Sequence, residues 1–214
     1  MVTEAFVLLV PVKRLSGAKS RLALDTATSR LLMGAFARDA VAAALGCPRV
    51  AHVCLVTDEH ALAESCGVGR CPDEGDGDLN LALARAAERA RRRHPDLGVA
   101  AMCADLPCLT AADLSAALSA AGQGRWYVSD TEGTGTTLLA ARSGVELHPQ
   151  FGPRSAGRHR ASGATPLAGG LATLRRDVDT REDLAGAITL GVGRHTEGVL
   201  DDLDLHATAG DVRR

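Results

Sequence analysis

Cations and carboxylates in separate parts of this chain are the groups from which phosphate chemistry could be assembled. The stretch VPVKRLSGAKSRL (10–22) carries Lys13, Arg14, Lys19 and Arg21 directly after an apolar run, residues 6–12. Lys13 and Lys19 bracket the small-residue turn Leu15, Ser16, Gly17, Ala18. Small side chains let backbone N–H groups approach an anion, and flanking lysines add charge to such a nest. Neither G-x-G-x-x-G nor G-x-x-x-x-G-K-[ST] is present, so no standard phosphate fingerprint applies. Residue type alone leaves a phosphate loop and a solvated basic turn both open.

Three carboxylates lie far downstream. Asp105 sits in ADLPCL, directly after an apolar run, with Pro107 fixing the backbone beyond it. There it could hold a divalent cation or bond its own turn. Asp177 and Asp179 in RRDVDT are two apart, so on an extended backbone they point to one side. Two such charges need a cation between them, and Arg175 or Arg176 could serve as well as a metal. With Asp105 the set suits Mg²⁺, which takes one or two carboxylates plus phosphate oxygens.

Two further segments could grip an anion. EGTGTT (132–137) offers Gly133 and Gly135 with the hydroxyls of Thr134, Thr136 and Thr137, although taken alone it favours a plain hairpin turn. In FGPRSAGRH (151–159), Ser155, Arg158 and His159 follow a Gly-Pro turn near a possible helix start. Asn80, in DGDLNLAL, could cap a helix or read a nucleobase edge with its donor and acceptor.

The elements that must position these groups follow from periodicity. Residues 6–12, 50–58 and 98–107 read as buried strands, and 28–45, 59–65, 79–93 and 111–121 as helices. Thr110 with Asp113, and Thr180 with Asp183, have capping spacing. RWYVSD and GTTLLAA read as a hairpin, and a last helix spans 181–190. Strand–helix alternation predicts a single-domain α/β fold over 1–194, a mostly parallel mixed sheet with helices on both faces and an added hairpin. Residues 195–214 are expected to form a polar, poorly ordered tail. Ligands in such sheets bind beyond the carboxyl ends of strands, which directs attention to the loops after 12, 57, 104, 130 and 176.

Composition narrows the function. The 214 residues carry a net charge of −2 and only 2% aromatics, which argues against phosphate-backbone binding and base stacking. No stretch approaches the ~20 apolar residues of a membrane span, and no basic-then-apolar leader is seen, so a cytoplasmic location is expected. The six cysteines form no C-x-x-C pair and are expected to be reduced packing residues. Cys54 and Cys103 are expected inside strands.

In order along the chain, VPVKRLSGAKSRL, DGDLNLAL, ADLPCL, GTGTTLL, HPQFGPRSAGRH and RRDVDTREDL resemble the 2-phospholactate/phosphoenolpyruvate guanylyltransferase family of coenzyme F-420 biosynthesis. The resemblance spans roughly residues 6–192. It implies a Rossmann-like nucleotidyltransferase fold and transfer of GMP from GTP to the phosphate of phosphoenolpyruvate or 2-phospho-L-lactate. With phosphoenolpyruvate the products would be enolpyruvoyl-2-diphospho-5'-guanosine and pyrophosphate. The Ala- and Arg-rich composition resembles actinobacterial members, for which phosphoenolpyruvate is the implied acceptor.

The resemblance further implies that Lys13 and Lys19, with Arg14 and Arg21, contact the GTP phosphates. Asp78, Leu79 and Asn80 would lie on the guanosine side. Thr136, Gly152 and Ser155 would grip the acceptor, and Asp105 with Asp177, Asp179 or both would hold Mg²⁺. The implied catalytic residues are Lys13, Lys19 and Asp105, and the product would pass to the next enzyme of the pathway. The first loop departs from the glycine-rich turn of the wider superfamily and keeps two lysines instead. The alternatives are a related transferase using 3-phosphoglycerate or a sugar phosphate, and a nucleotide-binding regulator without catalysis. A dinucleotide oxidoreductase is opposed by the missing G-x-G-x-x-G.

Overall fold

A computed structural model describes residues 4–12, 22, 24–120 and 124–203. The strands are β1 (Phe6–Pro11), β2 (Val50–Val56), β3 (Gly69–Cys71), β4 (Gly98–Met102), β5 (Arg125–Ser129), β6 (Thr136–Ala141) and β7 (Thr165–Pro166). The helices are α1 (Thr26–Leu45), α2 (His60–Cys66), α3 (Leu79–Arg93), α4 (Ala111–Ser119), α5 (Ser155–Ala161), α6 (Ala172–Arg175), α7 (Arg181–Leu190) and α8 (Arg194–Asp202).

The strands form one seven-stranded sheet in the order β3-β2-β1-β4-β6-β5-β7. β1 pairs in parallel with β2 and β4, whereas β6 is antiparallel to both β4 and β5. The expected hairpin is therefore present, and its second strand is the one inserted beside β4. β2 and β4 lie on opposite sides of β1, which makes the carboxyl ends of β1 and β4 the topological switch point.

Alternation along β1 divides the core. Phe6, Leu8 and Val10 face α1, α2 and α4, packing with Ala37, Val41, Leu62, Leu114 and Trp126. Val7 and Leu9 face α3 and α5, packing with Leu83, Ala86, Tyr127, Phe151 and Ala156. Such two-sided burial is why β1, β4 and β6 read as continuous apolar runs. With few aromatics, alanines on α1 and α3 bring the helices close to the sheet. A third cluster joins Leu32 and Phe36 of α1 to Cys108, Val178, Leu184 and Leu200.

Leu200 belongs to a segment expected as tail. Residues 194–202 instead form α8, docked on α1. Buried Asp39 accepts hydrogen bonds from His195 N (3.0 Å) and Thr196 N (2.8 Å), satisfying two N–H groups of the first turn of α8. The polar composition of 194–202 concealed this because the anchoring carboxylate comes from α1, far away in sequence.

Candidate active site

β4 delivers the first carboxylate. Cys103, one residue beyond the strand rather than inside it, donates its N–H to Thr137 O at 2.9 Å. Leu106 and Pro107 are buried, and Asp105 between strand and turn is half-buried. Val178 N donates to Asp105 O at 3.0 Å, so the 177–179 segment runs directly beside Asp105. Val178 is fully buried in the third cluster, while its neighbours Asp177 and Asp179 are half-buried. The structure thus brings together two segments more than 70 residues apart.

Two nearby expectations resolve into structural roles. Thr180 and Asp183 form the capping box of α7, so Asp183 is the carboxylate closing that helix start. Arg175 donates to Ser129 O (2.9 Å), Ser129 Oγ (2.8 Å) and Leu167 O (2.7 Å), a fork that ties α6 to β5. Among the described residues no group of three or more His, Cys, Asp or Glu is arranged to hold a metal. A closed protein cage is therefore not formed there. Asp105 beside the 177–179 segment offers hard oxygen donors of the kind Mg²⁺ combines with phosphate oxygens.

The threonine–glycine turn lies at the start of β6. Its N–H groups are satisfied internally: Asp130 accepts from Thr134 N (2.9 Å) and Gly135 N (2.6 Å). A Cβ on Gly135 would fall 2.3 Å from Asp130 Oδ2, so a side chain there would have to displace the carboxylate that closes the turn. The turn is therefore a hairpin closed around its own carboxylate. Asp130 went unnoticed in the sequence, although an Asp at a strand end before T-E-G-T-G is an Asx-turn signal.

Beyond that turn the residues expected to grip the acceptor converge. Ala156 N donates to Thr134 O at 3.1 Å, joining the start of α5 to the hairpin. Ser155, buried, donates its N–H to Gly152 O at 3.1 Å. Gly152 has φ +114, a conformation that L side chains rarely adopt. Thr136, also buried, places Oγ1 2.9 Å from His159 Nδ1, and His159 Nε2 accepts from Gln150 N at 2.9 Å. Burial, then Arg125 and Arg158, pull the His159 pKa down to about 4, so the ring is neutral at pH 7. Arg158 itself donates to Phe151 O at 2.9 Å.

Asn80 neither caps α3 nor stands apart from this cluster. Asp78 is the cap, accepting from Asn80 N (2.8 Å) and Leu81 N (3.2 Å). The Asn80 side chain accepts from Phe151 N (2.7 Å) and donates to Phe151 O (3.1 Å). It thereby locks the backbone next to Gly152. Leu79 is half-buried at the first position of α3. Lys13, Arg14, Lys19 and Arg21 lie outside the described residues; in sequence they follow Val12, which lies just past β1 and donates its N–H to Val56 O at 3.0 Å.

A cavity of about 760 Å³ lies elsewhere, between the β2–β3 edge and the C-terminal half of α3, and includes none of Asp105, Thr136 or 177–179. All six cysteines are free. Cys54 and Cys71, which line this cavity, share a hydrogen bond. That bond, with Arg89 and Arg70, draws the Cys71 thiol down to about 7 against the opposing effect of burial, and pushes Cys54 up. Among the described residues no helix is long and apolar enough to cross a membrane.

The seven-stranded α/β sheet, with β2 and β4 on opposite sides of β1, is shared by solved structures. A protein of Desulfovibrio desulfuricans G20 assigned to the nucleotide-diphospho-sugar transferases superposes with a TM-score of 0.68 at 18% identity, covering 94% of this chain and 95% of its own. A Methanothermobacter nucleotidyl transferase gives 0.58 at 16% identity, covering 92% and 99%. No family model matches the chain. The phosphoenolpyruvate guanylyltransferase of Streptomyces coelicolor is 48% identical over 202 residues, 91% of this chain and 95% of its own. That of Thermomonospora curvata is 50% identical over 195 residues, 88% and 86%. The chain belongs to the phosphoenolpyruvate guanylyltransferase family.

Proposed function

We propose that this protein transfers GMP from GTP to the phosphate of phosphoenolpyruvate, forming enolpyruvoyl-2-diphospho-5'-guanosine and pyrophosphate in coenzyme F-420 biosynthesis. The observation that carries the reading is near-full-length similarity, at 48% identity, to an enzyme of that name. A phosphate oxygen of the acceptor attacks the α-phosphorus of GTP. The new P–O bond forms as the bond to the bridging oxygen breaks, and pyrophosphate leaves with that electron pair. The attacking phosphate is already anionic, so no protein nucleophile is required. Bringing two polyanions into line is the obstacle, and positioning and charge neutralisation lower it.

Lys13 and Lys19, with Arg14 and Arg21, take the GTP phosphates. Asp105 with Asp177 or Asp179 would hold Mg²⁺, which supplies charge neutralisation on the phosphates when bound. Thr136, Gly152 and Ser155 hold the acceptor. Asp78, Leu79 and the remaining amide donor and acceptor of Asn80 face the guanosine. The reaction takes place in the cytoplasm, and the product passes to an enzyme that transfers the phospho-acid unit onward.

Incubation with GTP and Mg²⁺ plus phosphoenolpyruvate, 2-phospho-L-lactate, 3-phosphoglycerate or a sugar phosphate, each alone, tests this by pyrophosphate release. Release with phosphoenolpyruvate is expected. Turnover with only 3-phosphoglycerate or a sugar phosphate, or with nothing, would sink the reading.

A further inference from the structure

We propose that His159 is a positioning residue of the acceptor site: its ring, protonated on Nδ1, occupies a lone pair of Thr136 Oγ1 and so turns the Thr136 hydroxyl proton towards the acceptor's phosphate. The proposal rests on the acceptor reading of Thr136 given above. It starts from two contacts of one buried ring. Gln150 N is a backbone amide and can only donate, so at 2.9 Å His159 Nε2 must present its lone pair. A neutral imidazole has one N–H and one lone pair, so the proton sits on Nδ1. Thr136 Oγ1, 2.9 Å from Nδ1, is therefore the acceptor in that contact.

A hydroxyl that accepts from one side keeps its own proton for another partner. Among the described residues no other group hydrogen-bonds Thr136 Oγ1. Phosphate oxygens only accept, so a hydroxyl polarised in this way suits them. A hydroxyl that instead donated to a ring nitrogen would present only lone pairs to the anion and repel it.

The ring is held in place by its surroundings. Phe151 meets it edge-on at 5.2 Å between centroids, and Tyr127 lies at 5.8 Å. The charged neighbours, Arg125 on β5 and Arg158 on α5, both oppose a second proton. An Nε2–H tautomer or an imidazolium would set one N–H against another at Gln150. One side chain thus orients the Thr136 hydroxyl and, through Gln150, the backbone two residues before Gly152.

Histidine-labelled wild-type protein without substrate provides the first test, by ¹⁵N NMR at pH 7. A pyrrole-type Nδ1 with a pyridine-type Nε2 is expected; an Nε2–H tautomer or a doubly protonated ring would overturn the proposal. The second test compares His159→Leu with His159→Asn, whose Nδ2 can still donate to Thr136. His159→Leu should raise the phosphoenolpyruvate KM about tenfold or more with the GTP KM unchanged, and His159→Asn should recover most of that loss. Equal rises in both KM values, or identical behaviour of the two variants, would overturn it. Wild-type protein that releases no pyrophosphate with phosphoenolpyruvate would remove the acceptor reading itself, a failure visible before any variant is made.

Discussion

Asn80 carries both a donor and an acceptor, which makes it equally suited to a base edge and to a peptide group. Here it pairs with the main chain of Phe151, at 2.7 and 3.1 Å. Its removal would leave those half-buried backbone groups without that partner and loosen the Gly152 turn. Asn80→Ala should therefore raise the phosphoenolpyruvate KM about tenfold through the Gly152 turn, and the GTP KM as well through the lost guanosine-side contact, in steady-state assays. Asp105→Asn keeps the shape but removes the charge, so kcat should fall by about a hundredfold or more, measured as pyrophosphate release. His159 makes a third prediction, one of stability. Its folded pKa of about 4 lies below the ordinary histidine value, so the unfolded chain takes up the proton first. The full contribution is present above about pH 6.5 and declines as pH falls towards 4, a loss of up to about 3 kcal/mol. Urea titrations at pH 7.5 and 4.5 should show a smaller acid loss in His159→Asn than in wild type.

At the scale of elements, α8 depends on α1. Its first turn is capped by the Asp39 carboxylate, and Gly193, just before it, donates its N–H to Pro107 O at 2.8 Å. Pro107 follows Asp105 by two residues, so the same docking steadies the loop that carries Asp105. Asp39→Ala leaves two N–H groups without their acceptor and should cost about 2 kcal/mol, read as a lowered urea midpoint. The β2–β3 edge gives a chemical prediction. The hydrogen bond from Cys54, with Arg89 and Arg70, favours the Cys71 thiolate, whereas burial raises Cys47 and Cys108. Iodoacetamide near neutral pH should therefore label Cys71 before Cys47 or Cys108, as peptide mapping would show.

Across the whole molecule, the sheet order decides where chemistry can occur. β1 sends the chain to β2 on one side, while β4 lies on the other, which makes the carboxyl ends of β1 and β4 the topological switch point. Lys13 and Lys19 follow β1 in sequence, Asp105 follows β4, and Val178 donates its N–H to Asp105 O, which brings the 177–179 segment alongside. Metal chelation should abolish pyrophosphate release, and added Mg²⁺ should restore it. Retained activity in EDTA would remove the metal role assigned to the aspartates.

Much of this was legible in the residues themselves. Short apolar runs such as residues 6–12, too brief for a helix of ordinary length, fit a central strand buried on both faces. The Thr180–Asp183 capping box is equally local, because its atoms lie within one turn of chain. Candidate groups such as Asp105, Thr136 and Ser155 could be named by type and by position after a strand or turn. What a polar side chain meets is not local. Only tertiary structure decided that Asp39 would cap a helix 156 residues away and that Asn80 would clasp Phe151. Main-chain periodicity follows from nearest neighbours, but hydrogen-bond partners of buried polar groups are fixed by whichever segments the topology brings alongside.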